Sequence, residues 1–279
     1  MMTLNLWRAE WLKTRKRPAN RGMFGIMLVL VLMVFVAVTA IAYFYPGSDL
    51  DQAAIVLPFP RSLQSGVDVL GNLGALLVVV FVANSVGSEY GRDTWKVIVP
   101  RYGSRTAFLL TKWIVGLVAL LLLMAGVLVS AVVWGWLGVQ LLGIANESSM
   151  TDTGQVLRTA AVMVFDFILI GTLTLFGTVA TRSTIGGVVI GFVSSALLSL
   201  IGPVLSMLVT GASILSPTEH SDNLRIQWAM RDAEQTAMQA VIFNRPVSPL
   251  VSALVVISYI VLLLSVSMYL FKRRDMAGE

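Results

Sequence analysis

The sequence predicts an all-α integral membrane protein with six transmembrane helices, and three observations lead to this fold class. Of the 279 residues, 57% are hydrophobic and only 13% are charged, about half the charged share of an average soluble domain. Apolar runs long enough to cross a bilayer occur six times. The basic residues stand in short blocks between these runs, which is typical of the cytoplasmic loops of membrane proteins and not of a nucleic-acid-binding surface. The chain, residues 1–279, is therefore expected to be a single transmembrane domain.

The six predicted spans differ in length. They lie at about Gly22–Tyr45, Val67–Gly87, Thr106–Leu142, Thr159–Ala180, Ile185–Thr210 and Leu250–Phe271. The third run is too long for a straight crossing, so this helix is expected to tilt or to project beyond the bilayer.

The distribution of basic residues predicts the orientation of the chain. Fifteen of the twenty Lys and Arg residues fall on one side of the predicted spans, and five fall on the other. The side with the excess is expected to be cytoplasmic. Both termini are then cytoplasmic, and the protein is predicted to be a multi-pass protein of the cell's inner (cytoplasmic) membrane, surrounded by the lipid bilayer.

Residues 1–21 are predicted to form an interfacial helix on the inner membrane surface. Leu4, Trp7 and Trp11 recur at helical spacing on one side. Basic residues cover much of the rest: Arg8, Lys13, Arg15 and Lys16. Tryptophan and basic side chains suit an interface with anionic lipid. A plain basic cluster that only sets the topology is the alternative.

The loop after the second span contains a short amphipathic pattern within residues 88–100. A helix over Glu89–Val99 would carry one polar stripe at i, i+3, i+4 and i+7, formed by Glu89, Arg92, Asp93 and Lys96. Tyr90 and Thr94 begin a second stripe of the same period. Such a helix between two spans is suited to dock into a groove on a soluble partner. A solvated connecting helix is the alternative.

The outer loop before the last span, residues 211–249, is too long to be a simple turn. Asp222 is expected to cap a helix over about Asn223–Phe243. His220, the single histidine of the chain, lies in this loop and is expected to be a solvated surface residue. A metal site with two or more histidines is excluded within one chain, and the absence of cysteine excludes disulfides and thiolate metal sites.

The fifth predicted span carries a pair of small residues four positions apart, Gly187 and Gly191. This spacing is suited to close helix packing. The partner helix is either another helix of this chain or a helix of a second copy.

The second loop resembles the signature region of type-2 ATP-binding-cassette permeases. In that family an acidic residue closes the second span, a Gly or Thr follows, and a Pro, a Ser-Arg pair and a Lys open the third span. The matching residues, in order, are Glu89, Gly91, Thr94, Pro100, Ser104, Arg105 and Lys112. The end of the chain is also similar to the family's usual finish, with Phe271, Arg274 and Asp275 matching. The gap between Pro100 and Arg105 is longer than in the family pattern.

The resemblance implies a permease subunit of an exporter that is driven by ATP. Two permease chains would pair, as a homodimer or a heterodimer, above two nucleotide-binding subunits. The amphipathic helix would be the coupling helix that contacts the ATPase, through Glu89, Tyr90, Arg92, Asp93, Thr94 and Lys96. The chain has no Gly-x-x-x-x-Gly-Lys-Ser/Thr phosphate loop. ATP and Mg are therefore expected on the partner ATPase, with no catalytic residue, cofactor or metal on this chain.

Asp166 is the one acidic residue well inside a predicted span. It lies eight residues beyond Arg158, roughly 12 Å along a helix that rises about 1.5 Å per residue. An ionisable group at this depth usually faces a cavity or a partner, so Asp166 is a candidate residue of the transport path. Alternatively, the carboxylate is held by a hydroxyl of a neighbouring helix or is reached by water from outside.

Other function classes fit the sequence less well. An intramembrane hydrolase would need a His-Glu-x-x-His motif or two facing aspartates, and the sequence has one histidine and one deep aspartate. A secondary transporter usually shows inverted repeats and several polar intramembrane sites. A membrane anchor or scaffold without a transport path stays open, and so does the identity of any substrate.

Overall fold

The computed structural model describes residues 2–45, 53–92, 105–144, 153–208, 216–229 and 247–273, and all regular structure in these ranges is helical. A single helical turn occurs at 53–56. The longer helices, in chain order, are α1 (Met2–Lys16), α2 (Pro18–Phe44), α3 (Arg61–Tyr90), α4 (Arg105–Leu142), α5 (Thr153–Thr181), α6 (Thr184–Leu208), α7 (Pro217–Ala229) and α8 (Pro249–Arg273). The predicted all-α class is confirmed.

Helices α2, α3, α4, α5 and α8 are each long and apolar enough to cross a membrane. Helix α6 is also apolar, and its apolar stretch Thr184–Leu198 is shorter than those of the other five. Each of the six predicted runs therefore forms a helix, and five of these helices are long and apolar enough to be spans within the part of the chain that the structure describes. The sixth crossing stays a prediction.

Two of the helices begin well before the apolar runs that predicted them. Helix α3 begins at Arg61, directly after Pro60, and α5 begins at Thr153. Their first turns are polar, so hydropathy alone did not include them. Helix α4 has 38 residues, or roughly 57 Å at about 1.5 Å per residue. It is longer than the hydrocarbon core of a bilayer, which agrees with the expectation that this helix tilts or projects.

Helix α5 lies at the centre of the bundle, where it contacts α3, α6, α7 and α8. The main apolar core joins α2, α3, α4 and α5, and it includes Phe35, Val67, Val127 and Phe167. Helices α2 and α8 lie at the periphery, and only 17% and 22% of the residues in their most apolar stretches are buried. In a membrane these faces are suited to contact lipid or another chain.

The glycine pair of α6 packs within this chain. A Cβ atom added to Gly187 would clash with Thr178, and one added to Gly191 would clash with Thr174, both on α5. The two threonine hydroxyls donate to backbone carbonyls of α5 itself, so the close contact leaves no hydroxyl donor unpaired. Of the two alternatives for this glycine face, the structure favours packing within the chain.

Helix α7 differs from the helix that the outer loop predicted. It begins at Pro217, and Asp222 lies inside it instead of capping it. Proline suits the first turn of a helix because the N–H that it lacks would have no helical acceptor there. The predicted start at Asn223 is therefore wrong by about two turns, and residues 230–246 lie outside the described residues.

Candidate functional site

The ends of α3 and α4 define one end of the bundle, which we call the base. Glu89 lies in the last turn of α3, and Lys112 lies two turns into α4. The Lys112 Nζ atom is 2.7 Å from Glu89 Oε1, and the side chains are only 1% and 3% exposed. This buried ion pair joins α3 and α4, the helices that precede and follow residues 93–104 in the chain.

Helix α1 packs onto the same pair with one face. Leu6, Glu10 and Thr14 are buried and follow each other at intervals of four residues, which places them on one side of the helix. Glu10 Oε2 is 2.8 Å from the Nζ atom of Lys112. Lys112 therefore bridges two carboxylates that come from different helices.

Two further cations complete the group. The Lys13 Nζ atom lies 3.0 Å from Glu10 Oε1 and 3.1 Å from Glu89 Oε1. Arg17, at the joint between α1 and α2, lies 3.3 Å from Glu89 Oε1 and donates to the backbone carbonyl of Ser85. A cation near the carboxyl end of a helix also interacts favourably with the helix dipole.

We call Glu10, Lys13, Arg17, Glu89 and Lys112 the basal cluster. It contains three cations and two anions, and it joins α1, α3, α4 and the start of α2. Buried charges are tolerated only when they are paired and hydrogen-bonded, and each carboxylate here faces at least two cations. The arrangement resists separation of these four elements, because separating them would leave charge buried without a partner.

The pKa values of the two charged α1 residues follow from this geometry. Burial disfavours the charged form of Glu10, but Lys112 and Lys13 outweigh it and hold the pKa of the Glu10 carboxyl below its ordinary value. Burial likewise disfavours charged Lys13, and Glu10 and Glu89 outweigh it, so the pKa of Lys13 is raised. Both groups are therefore ionised at neutral pH.

The structure corrects the predicted placement of Glu89. The sequence pattern put this residue on the exposed stripe of a separate coupling helix, whereas Glu89 and Tyr90 belong to α3, which ends at Tyr90. The carboxylate of Glu89 faces the bundle because α3 continues unbroken through it. Tyr90 is half-buried and packs against the apolar cluster around Phe108.

The other residues of the predicted coupling helix fall at or beyond the end of α3. Arg92 is exposed in the turn that follows α3. Asp93, Thr94 and Lys96 lie outside the described residues. Sequence reasoning did not predict that Glu10, Lys13 and Arg17 would belong to this site. The available signal was an acidic residue four positions after buried Leu6, within an otherwise basic helix.

Asp166 lies on α5, far from the base. It is fifteen residues before Thr181, or roughly 22 Å at about 1.5 Å per residue. Its carboxylate accepts a hydrogen bond from the Ser221 hydroxyl and pairs with the guanidinium of Arg225, both on α7. These contacts match the alternative in which the acid is held by a neighbouring hydroxyl, and the transport-path role of Asp166 stays a prediction.

His220 is fully buried, so the prediction of a solvated surface histidine is wrong. Its Nδ1 atom lies 3.0 Å from Ser252 Oγ of α8. Asn223 donates to the same hydroxyl at 2.7 Å and to the backbone carbonyl of Val247 at 3.1 Å. Helix α7 thus covers polar groups on the start of α8 and is not a free loop. We call Asp166, His220, Ser221, Asn223, Arg225 and Ser252 the distal cluster.

Neither cluster forms a metal site. Among the described residues there is no group of three or more His, Cys, Asp or Glu side chains that could hold a metal ion. The basal cluster suits a structural and mechanical role, because its charges are paired with one another inside the protein.

Comparison with known protein families identifies the family of this chain. The family model described as ABC-2 family transporter protein matches residues 6–197, more than two thirds of the chain. The match includes the whole basal cluster, both helices that flank residues 93–104, and Asp166. No curated protein and no solved structure matches the chain. The sequence resemblance to type-2 ATP-binding-cassette permeases is confirmed, and this multi-pass chain belongs to the ABC-2 family of transporter proteins.

Proposed function

We propose that this chain is the membrane-spanning subunit of an exporter driven by ATP, and that the ATPase is a separate polypeptide that binds ATP and Mg. Membership of the ABC-2 family supports a permease component. The absence of a phosphate loop from the sequence supports a separate ATPase. ATP-dependent closure of the ATPase subunits would switch the permease between inward and outward openings.

The observation that carries this proposal is that the ends of α3 and α4 on either side of residues 91–104 are joined to each other by an ion pair. A partner that pushes on residues 91–104 acts on two helix ends joined by the 2.7 Å Glu89–Lys112 ion pair. Through Glu10, the same pair is joined to α1. A displacement of the segment is therefore transmitted to α1, α3 and α4 together instead of being absorbed by one loop.

The predicted site residues then have two different roles. Arg92, Asp93, Thr94 and Lys96 contact the ATPase. Glu89 does not touch it and acts from the interior, as the anchor of the docking segment. Two copies of this chain, or this chain and a related one, pair in the inner membrane with both termini in the cytoplasm. The exposed apolar faces of α2 and α8 are available for the second chain and for lipid.

Co-purification with the ATPase tests the docking role. The chain is co-expressed with a candidate ATP-binding subunit, and the amount of ATPase retained on the tagged permease is measured. Replacing Arg92 and Lys96 together with alanine is expected to reduce this amount about ten-fold, the size of effect that loss of an interface hot spot produces. Arg8→Ala with Lys16→Ala is the matched control, because both residues are exposed on α1. Equal retention by the docking variant and the control would contradict the docking role.

The absence of cysteine makes the orientation directly testable. Single cysteines introduced as Glu279→Cys and Gln155→Cys are treated with a membrane-impermeant maleimide in intact cells. The proposed topology requires labelling at position 155 and protection at position 279 until the cells are lysed. Labelling of position 279 in intact cells would overturn the orientation, and with it the cytoplasmic position of the docking segment.

A further inference from the structure

A cavity of about 400 Å³ lies where α1, α2 and α4 meet. None of its lining residues belongs to the basal cluster. Its polar side is formed by the joint between α1 and α2 and includes Arg15, Asn20 and Arg21. The content of this cavity can be inferred from three properties of its walls.

The first property is a buried acceptor that lacks a donor. Asn20 is only 2% exposed, and its Nδ2 atom donates to the backbone carbonyl of Thr14 at 3.0 Å. Its Oδ1 atom is buried and has no hydrogen-bond partner among the described residues. Buried polar atoms are almost always hydrogen-bonded, so the occupant of the cavity is expected to bring a hydroxyl or amine donor.

The second property is a pair of guanidinium groups. Arg15 and Arg21 both line the cavity, and no carboxylate is among its lining residues in the described part of the chain. The Nε atom of Arg21 donates to the backbone carbonyl of Arg15 at 2.7 Å, which fixes the guanidinium against α1. Guanidinium groups match the geometry of phosphate oxygens.

The third property is an apolar wall beside the polar one. Trp11, Phe24, Ala119 and Leu122 continue the lining away from the arginines, and Leu122 is 52% exposed at the surface of α4. Tryptophan beside basic side chains at the end of a span is typical of the membrane interface. The cavity therefore combines cationic and apolar lining residues, which suit the headgroup and the acyl chain of a lipid.

We propose that this cavity binds an anionic glycerophospholipid, with its phosphate on Arg15 and Arg21, a headgroup hydroxyl donating to Asn20 and an acyl chain along Phe24 and Leu122. Phosphatidylglycerol has all three features. A zwitterionic phosphatidylcholine has the phosphate and the chains, but it lacks the hydroxyl donor and the net negative charge. The bound lipid fills the angle between α1 and α2 and stabilises the packing of α1 against the base of the bundle. This site does not depend on the exporter function proposed above.

Trp11 gives a direct readout of occupancy, because it lines the cavity. The purified full-length chain in detergent is titrated with phosphatidylglycerol that carries brominated acyl chains, which quench nearby tryptophan fluorescence. The difference between the chain and its Trp11→Phe variant isolates the signal of Trp11 from that of the other six tryptophans. Half-maximal quenching of this signal is expected at a concentration about ten-fold lower for phosphatidylglycerol than for brominated phosphatidylcholine, given two basic residues at the surface.

Two double variants test whether the cavity itself is the site. Arg15→Gln with Arg21→Gln is expected to remove the ten-fold preference. Arg8→Gln with Lys16→Gln lowers the charge of α1 by the same amount outside the cavity and is expected to keep the preference. Leu122→Phe narrows the exposed mouth without adding a tryptophan and is expected to weaken quenching by both lipids.

Three results would overturn the proposal. Equal quenching by the two lipids would show that the headgroup is not recognised. An equal loss of preference in the two double variants would indicate a general attraction of anionic lipid to a basic helix. Displacement of the brominated phosphatidylglycerol by millimolar inorganic phosphate would identify a site for free phosphate. Gel filtration of each variant establishes that it is folded before titration.

Discussion

The two polar clusters of this permease, basal and distal, hold helices together in different ways. In the basal cluster the carboxylates of Glu10 and Glu89 are at most 5% exposed, and three cations surround them. In the distal cluster the ion pair of Asp166 and Arg225 is 17% and 38% exposed. Ser221 also donates to the Asp166 carboxylate, and the contacts of His220, Asn223 and Ser252 are neutral hydrogen bonds.

This difference sets how easily each region can move. Opening the basal cluster would expose or isolate several buried charges at once, which is expensive in a region of low dielectric constant. Opening the distal cluster would separate one ion pair whose arginine side chain is already 38% exposed, so less charge would be left buried without a partner. A rigid base beside residues 93–104 and a more easily separated α7 fit the proposed permease that is driven from its base.

The largest effect is expected from Lys112→Ala. The substitution removes the cation shared by Glu10 and Glu89, whose separations from its Nζ atom are 2.8 Å and 2.7 Å. Loss of one partner from a buried ion pair is expected to lower the free energy of unfolding by about 3–5 kcal/mol. Denaturant unfolding of the purified chain in detergent measures this change.

Lys16→Ala is the control for this experiment, because Lys16 is exposed on α1 and surface substitutions usually change stability by less than about 0.5 kcal/mol. A second test combines Lys112→Ala with Glu89→Gln. The double variant is expected to lose less stability than the sum of the two single losses, because the buried negative charge is removed with its partner. An additive loss, or a Lys112→Ala effect no larger than that of Lys16→Ala, would show that the ion pair does not hold the base together.

The second prediction concerns pH. The pKa of Glu10 is lowered on folding, so its contribution to stability is present above its ordinary pKa of 4.5 and is lost as pH falls through the folded value. The pKa of Lys13 is raised, so its contribution is present below its ordinary value of 10.5 and is lost as pH rises through the folded value. The cluster is therefore expected to be insensitive to pH between these two limits.

Thermal unfolding between pH 6 and pH 3 checks the acidic limb. The unfolding temperature is expected to fall as the pH drops below 4.5, and Glu10→Gln is expected to make this fall shallower. Asp68→Asn, at an exposed acid of α3, is expected to leave the slope unchanged. A slope that is the same in Glu10→Gln and in the unsubstituted chain would show that Glu10 is not charged in the folded state.

Much of the helical framework was predictable because hydropathy is a local property. Apolar runs located α2, α3, α4, α5, α6 and α8, and the errors were confined to polar end turns such as Arg61 and Thr153. The count of basic residues predicted an orientation, which the structure does not test. The resemblance of the second loop predicted the family, and the family comparison confirmed it.

The sites were less predictable because they depend on which helices become neighbours. Glu89 fits an exposed stripe by spacing, but three cations from other segments make burial favourable for it. Glu10 has no pattern of its own that points to Lys112, which is 102 positions away in sequence. His220 was assigned to the surface because it lies in a predicted outer loop, whereas α7 packs against α8 and brings it beside Ser252.

The third prediction probes the neutral part of the distal cluster. Asn223→Ala removes two donated hydrogen bonds, to Ser252 Oγ and to the Val247 carbonyl. Unsatisfied buried groups cost about 1–3 kcal/mol, and this loss is expected to act locally because α7 is a short helix of 13 residues. Hydrogen exchange should therefore accelerate in Pro217–Ala229 and remain slow in α5. Asp222→Asn, at a more exposed position of α7, is the control. Equal protection of α7 in Asn223→Ala and in the control would show that the network does not hold this helix.

The smallest effect on stability is expected from Asp166→Asn, which nevertheless decides the function of the distal cluster. The substitution keeps the shape of the side chain and can still accept the hydrogen bond from Ser221, but it removes the charge that pairs with Arg225. The side chain of Arg225 is 38% exposed and can be solvated when its partner is neutral, so the amount of folded protein in gel filtration is expected to be nearly normal.

Comparison of the two single variants Asp166→Asn and Arg225→Gln distinguishes a role of the carboxylate in transport from a role in packing. If the carboxylate lines the path, only Asp166→Asn lowers the ATPase activity that transport substrates stimulate, because it removes the negative charge that a cationic or polar substrate group would meet. If the carboxylate serves only to hold α7, the two variants are equally disturbed, since each removes one partner of the same ion pair. We expect a selective loss of stimulated activity in Asp166→Asn at a normal protein level. Normal substrate stimulation of the ATPase in Asp166→Asn would exclude Asp166 from the path. The distal cluster would then serve only to hold α7 against α5 and α8.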